Sequence, residues 1–325
     1  MAGTNIFKFL SVHANLARGY LAKLARSSPR SLACLRILIS CTFLFSVLFT
    51  SFSDFARLPV ALLVPTGLMK LLPWGFYDRM FTPTGMNILK GTLVLSLVMS
   101  SLGWLTPVST KASAVLVLFY QGLVRSFGHF NHDEIIAVYL LIVLAFSPCA
   151  DQLSLDSWLK HRPARSRFAY GYPILLMQAL LAWSYFSSAI IKLRVSGLSY
   201  LSPDNLPTLA IMQSLDNLHD THFRLAFYLP AVRNYTPIVV AVVLVWELVF
   251  PLAVVWKRCR PLILGFGLLF HLANALLLNF LFSYQLAMYV VFIDWERVLV
   301  GFRKQRLYVS IASRWPALRL PHSES

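Results

Sequence analysis

The sequence predicts an all-α, multi-pass membrane protein, a transmembrane helical bundle with about eight spans. Hydrophobic residues make up 58% of its 325 residues and charged residues only 13%, whereas a soluble domain carries about 25% charged residues. The mean hydropathy is +0.66. The apolar residues are gathered in segments near the length of about 20 residues that a helix needs to cross a bilayer. These observations exclude a soluble globular protein.

Eight apolar segments are predicted to span the membrane. Several are short or have polar ends, which is tolerated where helices border a water-filled or ligand-filled cavity. The fourth and eighth are the shortest. The segments are 34–52, 88–105, 112–130, 134–148, 172–193, 237–256, 261–279 and 282–295.

The segments that flank the spans complete the predicted organisation. Residues 1–33 form a basic cytoplasmic segment, in which 5–26 are predicted either as an interfacial amphipathic helix or as a frayed basic tail. The membrane domain covers 34–295, and 296–325 form a basic cytoplasmic tail. The two long outer connections, 53–87 and 194–236, contain helix-breaking clusters, so each is expected to hold short interfacial helices.

The excess of cations predicts an orientation. Lys and Arg outnumber Asp and Glu by 29 to 13, for a net charge of +16, and membrane proteins concentrate cations in cytoplasmic loops. With the N-terminus inside, 19 of the 29 cations lie on one side. We therefore expect cytoplasmic termini, a cell (inner) membrane location, membrane lipids as partners and no nucleic acid. The 19 are Lys8, Arg18, Lys23, Arg26, Arg30, Lys111, Lys160, Arg162, Arg165, Arg167, Lys257, Arg258, Arg260, Arg297, Arg303, Lys304, Arg306, Arg314 and Arg319.

Ionisable residues within the apolar segments are the candidate functional residues, because an unpaired charge near the bilayer centre costs about 2.5 to 3.5 kcal/mol. One group is the polar run 126–134, which includes Asn131 and His132. A second is Lys192, at the end of the fifth span. The third is Glu247 in the sixth span, with His271 and Asn274 in the seventh. The four cysteines form no CxxC pair, so neither a disulfide framework nor a metal site is expected.

The predicted topology places Asn131, His132 and Lys192 together at the outer leaflet. A lysine at an apolar helix end can act as a base near neutral pH, since burial disfavours the charged ammonium. A histidine could carry a proton or orient a carbonyl. The structural alternatives stay open: Lys192 extends to the headgroups, His132 caps a hairpin, and Glu247 and His271 make polar contacts across helix interfaces.

Several short motifs occur in a particular order over about 250 residues. They are Ser31-Leu-Ala-Cys-Leu-Arg-Ile37, Asn131-His132, Leu153-Ser-Leu-Asp156, Tyr185-Phe with Ile191-Lys-Leu193, Phe270-His271 with Asn274, and Phe282-Ser-Tyr284. In this order and spacing the chain resembles the HTTM domain, the membrane module of vitamin K-dependent γ-carboxylases and of a set of bacterial membrane proteins.

The resemblance implies a role for each matching residue. Lys192 matches the weak base that deprotonates vitamin K hydroquinone, after which oxygen converts the quinol to a strong base that removes a γ-proton from a substrate glutamate. His132 matches the residue that assists the carbanion as it takes up carbon dioxide, and Asn131 supports that site. The implied cofactor is vitamin K hydroquinone or another isoprenoid quinol. The residues expected to bind it are His271, Asn274, Tyr284 and Glu247.

Two departures from the carboxylases limit what the resemblance implies. The chain has no large soluble portion after its last predicted span, and Gly197 follows Lys192 without the usual Trp. The chain is therefore more similar to the compact bacterial members, and we expect it to modify or mature an exported peptide or protein. Whether it has carboxylase-like activity stays open, because a non-catalytic module that binds lipid or quinone and assembles partner proteins fits the same sequence. A transporter is less favoured, since no paired Gly/Pro breaks occur.

Overall fold

The chain is a multi-pass helical membrane protein. The structure, a computed structural model, describes residues 19–20, 22, 24–128, 132–160, 165–216, 225–278 and 280–304. Across these ranges the secondary structure is helical, with no strand. Six helices are long and apolar enough to cross a membrane, which confirms the predicted class. They are Pro29–Phe49, Pro83–Leu102, Thr106–Arg125, Arg167–Leu201, Leu225–Val249 and Arg260–Leu277.

Seven α-helices form the bundle, and we label them α1 to α7. They are α1 Pro29–Phe49, α2 Pro83–Leu102, α3 Thr106–Arg125, α4 His132–Ala145, α5 Arg167–Ser196, α6 Thr236–Val249 and α7 Arg260–Leu277. The shorter α-helices are Phe52–Phe55, Trp74–Met80, Leu155–Leu159, Asn205–Asp216, Leu252–Val255, Ser283–Ala287 and Trp295–Lys304. The 3-10 segments are Val60–Leu62, Gly67–Leu71, Gly197–Leu201, Leu225–Tyr235 and Met288–Phe292.

Several helices begin earlier than the apolar segments that predicted them, because polar caps and prolines start them. The hydroxyl of Ser28 accepts the N–H of Ser31, and Pro29 opens α1. Thr82 caps α2 in the same way, ahead of Pro83. A hydroxyl at the N-cap binds an otherwise unpaired N–H, and proline at the first position has no N–H to pair. Hydropathy alone does not register either signal.

The two shortest predicted spans do not form long helices. The segment predicted over 134–148 is α4, with 14 residues. The segment predicted over 282–295 is divided into Ser283–Ala287 and Met288–Phe292. The first of these packs against α4 and the second against α1 and α5. Interior helices of this kind contact protein on several sides and need not match the thickness of the bilayer.

The two long connections hold short helices, as predicted. The first contains Trp74–Met80, in which Trp74 is exposed and Tyr77 is buried. In the second, a 3-10 helix ends at Leu201 and the next helix begins at Asn205. Both positions fall in the helix-breaking cluster at 201–207. Most of the predicted interfacial segment 5–26 lies outside the described residues, as do 305–325 of the C-terminal tail.

The starts of α1, α3, α5 and α7 lie at one end of the bundle, which we call the Arg36 end. Here the N–H of Ser27 donates to the carbonyl of Arg167, 3.2 Å away, which joins the starts of α1 and α5. Arg260, at the start of α7, donates to the carbonyl of Phe292 at 3.2 Å. The segment Met288–Phe292 therefore ends where α7 begins.

Arg36 joins several elements at this end. Its side chain is fully buried in α1. The guanidinium donates to the carbonyls of Cys149 at 2.8 Å, Leu153 at 2.5 Å and Ser101 at 3.4 Å. Ser101 belongs to the last turn of α2, and Cys149 and Leu153 follow α4. One side chain thus binds a carbonyl in the last turn of α2 and two carbonyls in the segment after α4, where helical hydrogen bonds are not available.

Asp156 completes the cluster by capping α3. Its carboxylate accepts the N–H groups of Leu105 at 3.0 Å and Thr106 at 2.7 Å, a favourable place for a negative charge at a helix N-terminus. Gly103, in the turn before α3, has φ +70°. A Cβ at this glycine would lie 2.3 Å from Cβ of Ser154, so the turn requires glycine.

Replacing Arg36 with methionine should strongly destabilise the bundle. Arg36→Met keeps an unbranched side chain but leaves three carbonyls without a donor, a loss of about 2 to 4 kcal/mol in free energy of unfolding. Arg57→Met is the control, because the Arg57 side chain is 82% exposed. Denaturant titration in detergent micelles would measure both. Equal stability of the two variants would contradict the structural role of Arg36.

Candidate functional site

The candidate residues Asn131 and His132 cannot be assigned a place in the site. Asn131 lies outside the described residues. His132 is the first residue of α4, but its side chain also lies outside what the structure describes. The geometry of the site is therefore built from Lys192, Glu247 and His271.

Lys192 lies within its helix and not at the end that the sequence predicted. The helix α5 continues to Ser196, and a 3-10 segment extends it to Leu201. Gly197, with φ +56°, provides the change of direction. The predicted span 172–193 was too short because Arg194 and the serines that follow lower the hydropathy of the last turns. Lys192 is thus one turn deeper in the helix than expected.

Lys192 forms an ion pair with Glu247 across the interface between α5 and α6. The Nζ atom lies 2.6 Å from Oε1 and 2.8 Å from Oε2 of Glu247. The hydroxyl of Ser188, one turn earlier in α5, donates to Oε1 at 3.3 Å. The side chain of Glu247 is 3% exposed and that of Lys192 is 25% exposed. The carboxylate is therefore enclosed, whereas part of the lysine can be reached from outside the protein.

Apolar and aromatic groups surround the pair. Ala189, Val240 and Leu244 form a buried cluster beside it, and the Nζ atom lies 5.8 Å from the ring centroid of Tyr200. An isolated charge here would be costly, and opposite charges at hydrogen-bonding distance offset much of that cost. Because Glu247 binds the Nζ atom with both oxygens, Lys192 is one half of a coupled pair and not a free amine.

A second polar group lies on the same face of α5. The hydroxyl of Tyr185 is 2.7 Å from Nε2 of His271 and 2.8 Å from the hydroxyl of Tyr289. All three side chains are buried. Nδ1 of His271 has no hydrogen-bond partner among the described residues. Tyr185, Ser188 and Lys192 follow a spacing of three and four residues, which places them on one helix face.

Aromatic rings enclose the Tyr185 hydroxyl. The ring of Tyr185 stacks on Phe250, with centroids 4.2 Å apart, and meets Trp246 edge-on at 4.9 Å. Trp246 and Phe250 flank Glu247 in sequence, so α6 contributes to both polar groups. The two groups therefore share the interface between α5 and α6.

The other predicted cofactor-binding residues have separate surroundings. The ring of His271 meets Phe282 edge-on at 5.7 Å. The short sequence motifs that contain His271 and Phe282 are therefore in contact. Tyr284 is buried and packs against Phe43, with centroids 5.4 Å apart. Asn274 is partly buried, and its carbonyl accepts the N–H of Leu278 at 2.8 Å.

Sequence reasoning did not single out Ser188, Tyr200 and Tyr289 as site residues. The helical spacing of Ser188 from Lys192 could have identified the serine. Tyr289 and Tyr200 lie far from their partners along the chain, and no local pattern marks them.

Neither clusters of metal ligands nor comparisons with known proteins assign a function to this site. In the part of the chain that the structure describes, no group of three or more His, Cys, Asp or Glu side chains could hold a metal ion, and the four cysteines are free. Comparisons of the chain with models of known protein families, with curated proteins and with solved structures find no match.

Removing one partner of the ion pair should cost more stability than removing both. We expect Glu247→Leu and Lys192→Met each to lower the free energy of unfolding by about 1 to 3 kcal/mol, allowing for the partial exposure of Lys192. The double variant Lys192→Met/Glu247→Leu should be closer to wild type, because no unpaired charge remains. Denaturant titrations of all four proteins give the coupling energy. Additive losses would show that the two residues are not coupled.

Two glycines of α7 provide a test of the Tyr289 position. A Cβ at Gly267 would lie 2.2 Å from the Tyr289 hydroxyl, whereas a Cβ at Gly265 meets nothing within 4 Å. We expect Gly267→Ala to destabilise the protein by about 1 to 3 kcal/mol through overpacking. Gly265→Ala should be neutral or slightly stabilising, since alanine favours helix. Thermal unfolding in one detergent would compare them, and equal melting temperatures would refute the packing of Tyr289 on α7.

Proposed function

We propose that this chain is an HTTM-like membrane protein that modifies or matures an exported peptide or protein with the help of an isoprenoid quinol. The observation that carries the proposal is the ion pair of Lys192 with Glu247 between two helices that are long and apolar enough to cross a membrane. Such a pair is expensive to place in a membrane, and intramembrane ionisable residues commonly mark proton or substrate sites. The Lys192 side chain is 25% exposed, so a ligand outside the protein could reach the pair.

Contacts between the recognised motifs support the family proposal. Arg36 of the first motif donates to the carbonyl of Leu153, which begins the third motif. His271 contacts both Tyr185 and Phe282, which belong to separate later motifs. Motifs that are distant in sequence but adjacent in space are expected if they define one shared fold.

The same proposal includes eight crossings with cytoplasmic termini. The interior helix α4 and the segment 283–292 would be short crossings, which adds two to the six long helices. Their alternation brings the starts of α1, α5 and α7 to the Arg36 end, in agreement with the observed contacts. The cations Arg165, Arg167 and Lys257 flank the helices at this end, which favours the cytoplasmic side of a cell membrane.

The residues around Lys192 fit a quinol. The pair offers a hydrogen-bond donor and an acceptor, and Tyr200 offers an aromatic face within 5.8 Å of the Nζ atom. When bound, a quinol would supply a redox-active ring and an acidic hydroxyl. Lys192 and Glu247 would hold the quinol. His271 is buried and hydrogen-bonded to Tyr185, so it belongs to the neighbouring polar group.

The ion pair would act as a proton-holding site. The Nζ atom of Lys192 donates a hydrogen bond to Oε1 of Glu247, 2.6 Å away. Accepting a further proton would convert Glu247 to a neutral acid, which the enclosed setting favours over an unpaired carboxylate. The hydrogen bond from Ser188 to Oε1 would orient the carboxylate. The apolar neighbours would keep water away from the proton.

A non-catalytic module that binds lipid or quinone and assembles partner proteins is the second candidate. The geometry of the ion pair favours this candidate, because both oxygens of Glu247 already bind Lys192. In that case the pair would only clamp α5 to α6. The two candidates differ in what a charge-conserving substitution does: a clamp should tolerate Lys192→Arg, whereas a proton site should not, since arginine does not release a proton.

Analysis of copurified ligands would test quinone binding, which both candidates allow, and a turnover assay would separate the candidates. We expect an isoprenoid quinone to copurify with wild type. The amount of quinone bound to Lys192→Ala and to Glu247→Gln should be at least tenfold lower, as measured by mass spectrometry of organic extracts. In a reconstituted system with an exported peptide from a neighbouring gene, Lys192→Arg should lose turnover while remaining folded. A +44 Da glutamate product would identify carboxylation. Wild-type turnover in both Lys192→Arg and Lys192→Ala would refute a catalytic role for Lys192.

A further inference from the structure

A cavity of about 280 Å³ opens at the Arg36 end, away from the Lys192 and Glu247 pair. It lies between the first turn of α3 and the segment that follows α4. Its volume is close to the lower limit of small-molecule sites, about 300 Å³. Its lining includes Thr106, Lys111, Phe146, Cys149 and Arg165.

The lining of the cavity carries positive charge. Lys111 is exposed, and its Nζ atom lies 5.6 Å from the ring centroid of Phe146. Arg165 uses only Nε to bind Asp151, at 3.0 Å, and its side chain is 54% exposed. The guanidinium therefore retains further donors. The nearby carboxylate of Asp156 is already bound to two backbone N–H groups.

Thr106 provides a buried polar atom without a partner. Its side chain is 1% exposed, and its Oγ1 atom has no hydrogen-bond partner among the described residues. The neighbouring hydroxyl of Thr110 already donates to the Thr106 carbonyl at 2.6 Å. A buried hydroxyl without a partner costs about 1 to 3 kcal/mol in mutational data, and a ligand oxygen in the cavity would remove that cost.

The remaining surroundings select the class of ligand. Burial raises the pKa of the Cys149 thiol, so the thiol is neutral and adds no negative charge. Pro107 and Phe146 make part of the wall apolar. Trp158, in the short helix that follows, is 79% exposed, as is common for tryptophan at the level of lipid headgroups.

We propose that this cavity binds the phosphate group of an anionic phospholipid, with Lys111 and Arg165 holding its charge and Thr106 donating to an oxygen. Basic cavities between membrane helices recognise headgroups by this combination of charge and hydrogen bonding. The apolar wall would contact the glycerol and the first carbons of the acyl chains. The site is independent of the proposed quinol chemistry, since it uses none of the same residues.

Native mass spectrometry of the detergent-purified full chain would test this proposal, with phosphatidylglycerol, phosphatidylcholine and inorganic phosphate as probes. We expect wild type to retain phosphatidylglycerol in preference to phosphatidylcholine. Each of Lys111→Gln and Arg165→Gln should weaken this binding about fivefold. Thr106→Val should weaken it without changing net charge. Lys70→Gln is the control, because Lys70 is exposed and precedes α2 at the opposite end of the bundle.

Three outcomes would overturn the proposal. Equal retention of phosphatidylcholine and phosphatidylglycerol would show that the phosphate charge is not recognised. Displacement of the lipid by an equal concentration of inorganic phosphate would show a site for the free anion. Undiminished binding in Lys111→Gln and Thr106→Val would place the lipid elsewhere. Among the described residues, Lys111 is exposed and contacts the ring of Phe146, so its variant should fold even if Arg165→Gln does not.

Discussion

The bundle depends on the hydrogen bonds of the buried guanidinium of Arg36. Carbonyls that are buried in the protein have no water to bind, and each unpaired group is costly. Arg36 donates to carbonyls of Ser101, Cys149 and Leu153, which lie 65 to 117 residues away along the chain. Asp156 binds the N–H groups of Leu105 and Thr106 at the start of α3. The turn through Gly103 permits this close approach. With one end fixed in this way, the helices can hold polar groups deeper in the bundle.

The helix α5 connects that framework to the candidate site. Its start is bonded to the chain before α1, and its far half carries Tyr185, Ser188 and Lys192 on one face. The aromatic and hydroxyl network around Tyr185 is buried, as expected of a packing element. The Lys192 and Glu247 pair differs, because Glu247 is enclosed while a quarter of the lysine side chain is exposed. We propose that this asymmetry lets the pair hold a proton and meet a ligand.

Hydropathy was sufficient to predict the class of fold and six long helices, because the apolar segments match the thickness of a bilayer. It misplaced helix starts such as Pro29, since capping depends on hydrogen bonds and not on apolar character. It also treated the segment 282–295 as one span, although local turns divide it. The cost of ionisable groups in a membrane identified Lys192, Glu247 and His271. The pairing of Lys192 with Glu247 could not be predicted, because the two residues are 55 positions apart and meet only through the rotation and packing of α5 and α6.

The central claim is that Glu247 changes its protonation when a quinol binds beside Lys192. Infrared difference spectroscopy of the reconstituted protein with vitamin K hydroquinone, against the oxidised quinone, reports this change through the carboxyl stretching band. The account predicts a band for a newly protonated carboxyl group in wild type that is absent in Glu247→Gln and altered in Lys192→Arg. Glu247→Gln removes the carboxyl group but keeps the side-chain volume. Identical difference spectra for wild type and Glu247→Gln would contradict the claim and leave the ion pair as a clamp between two helices.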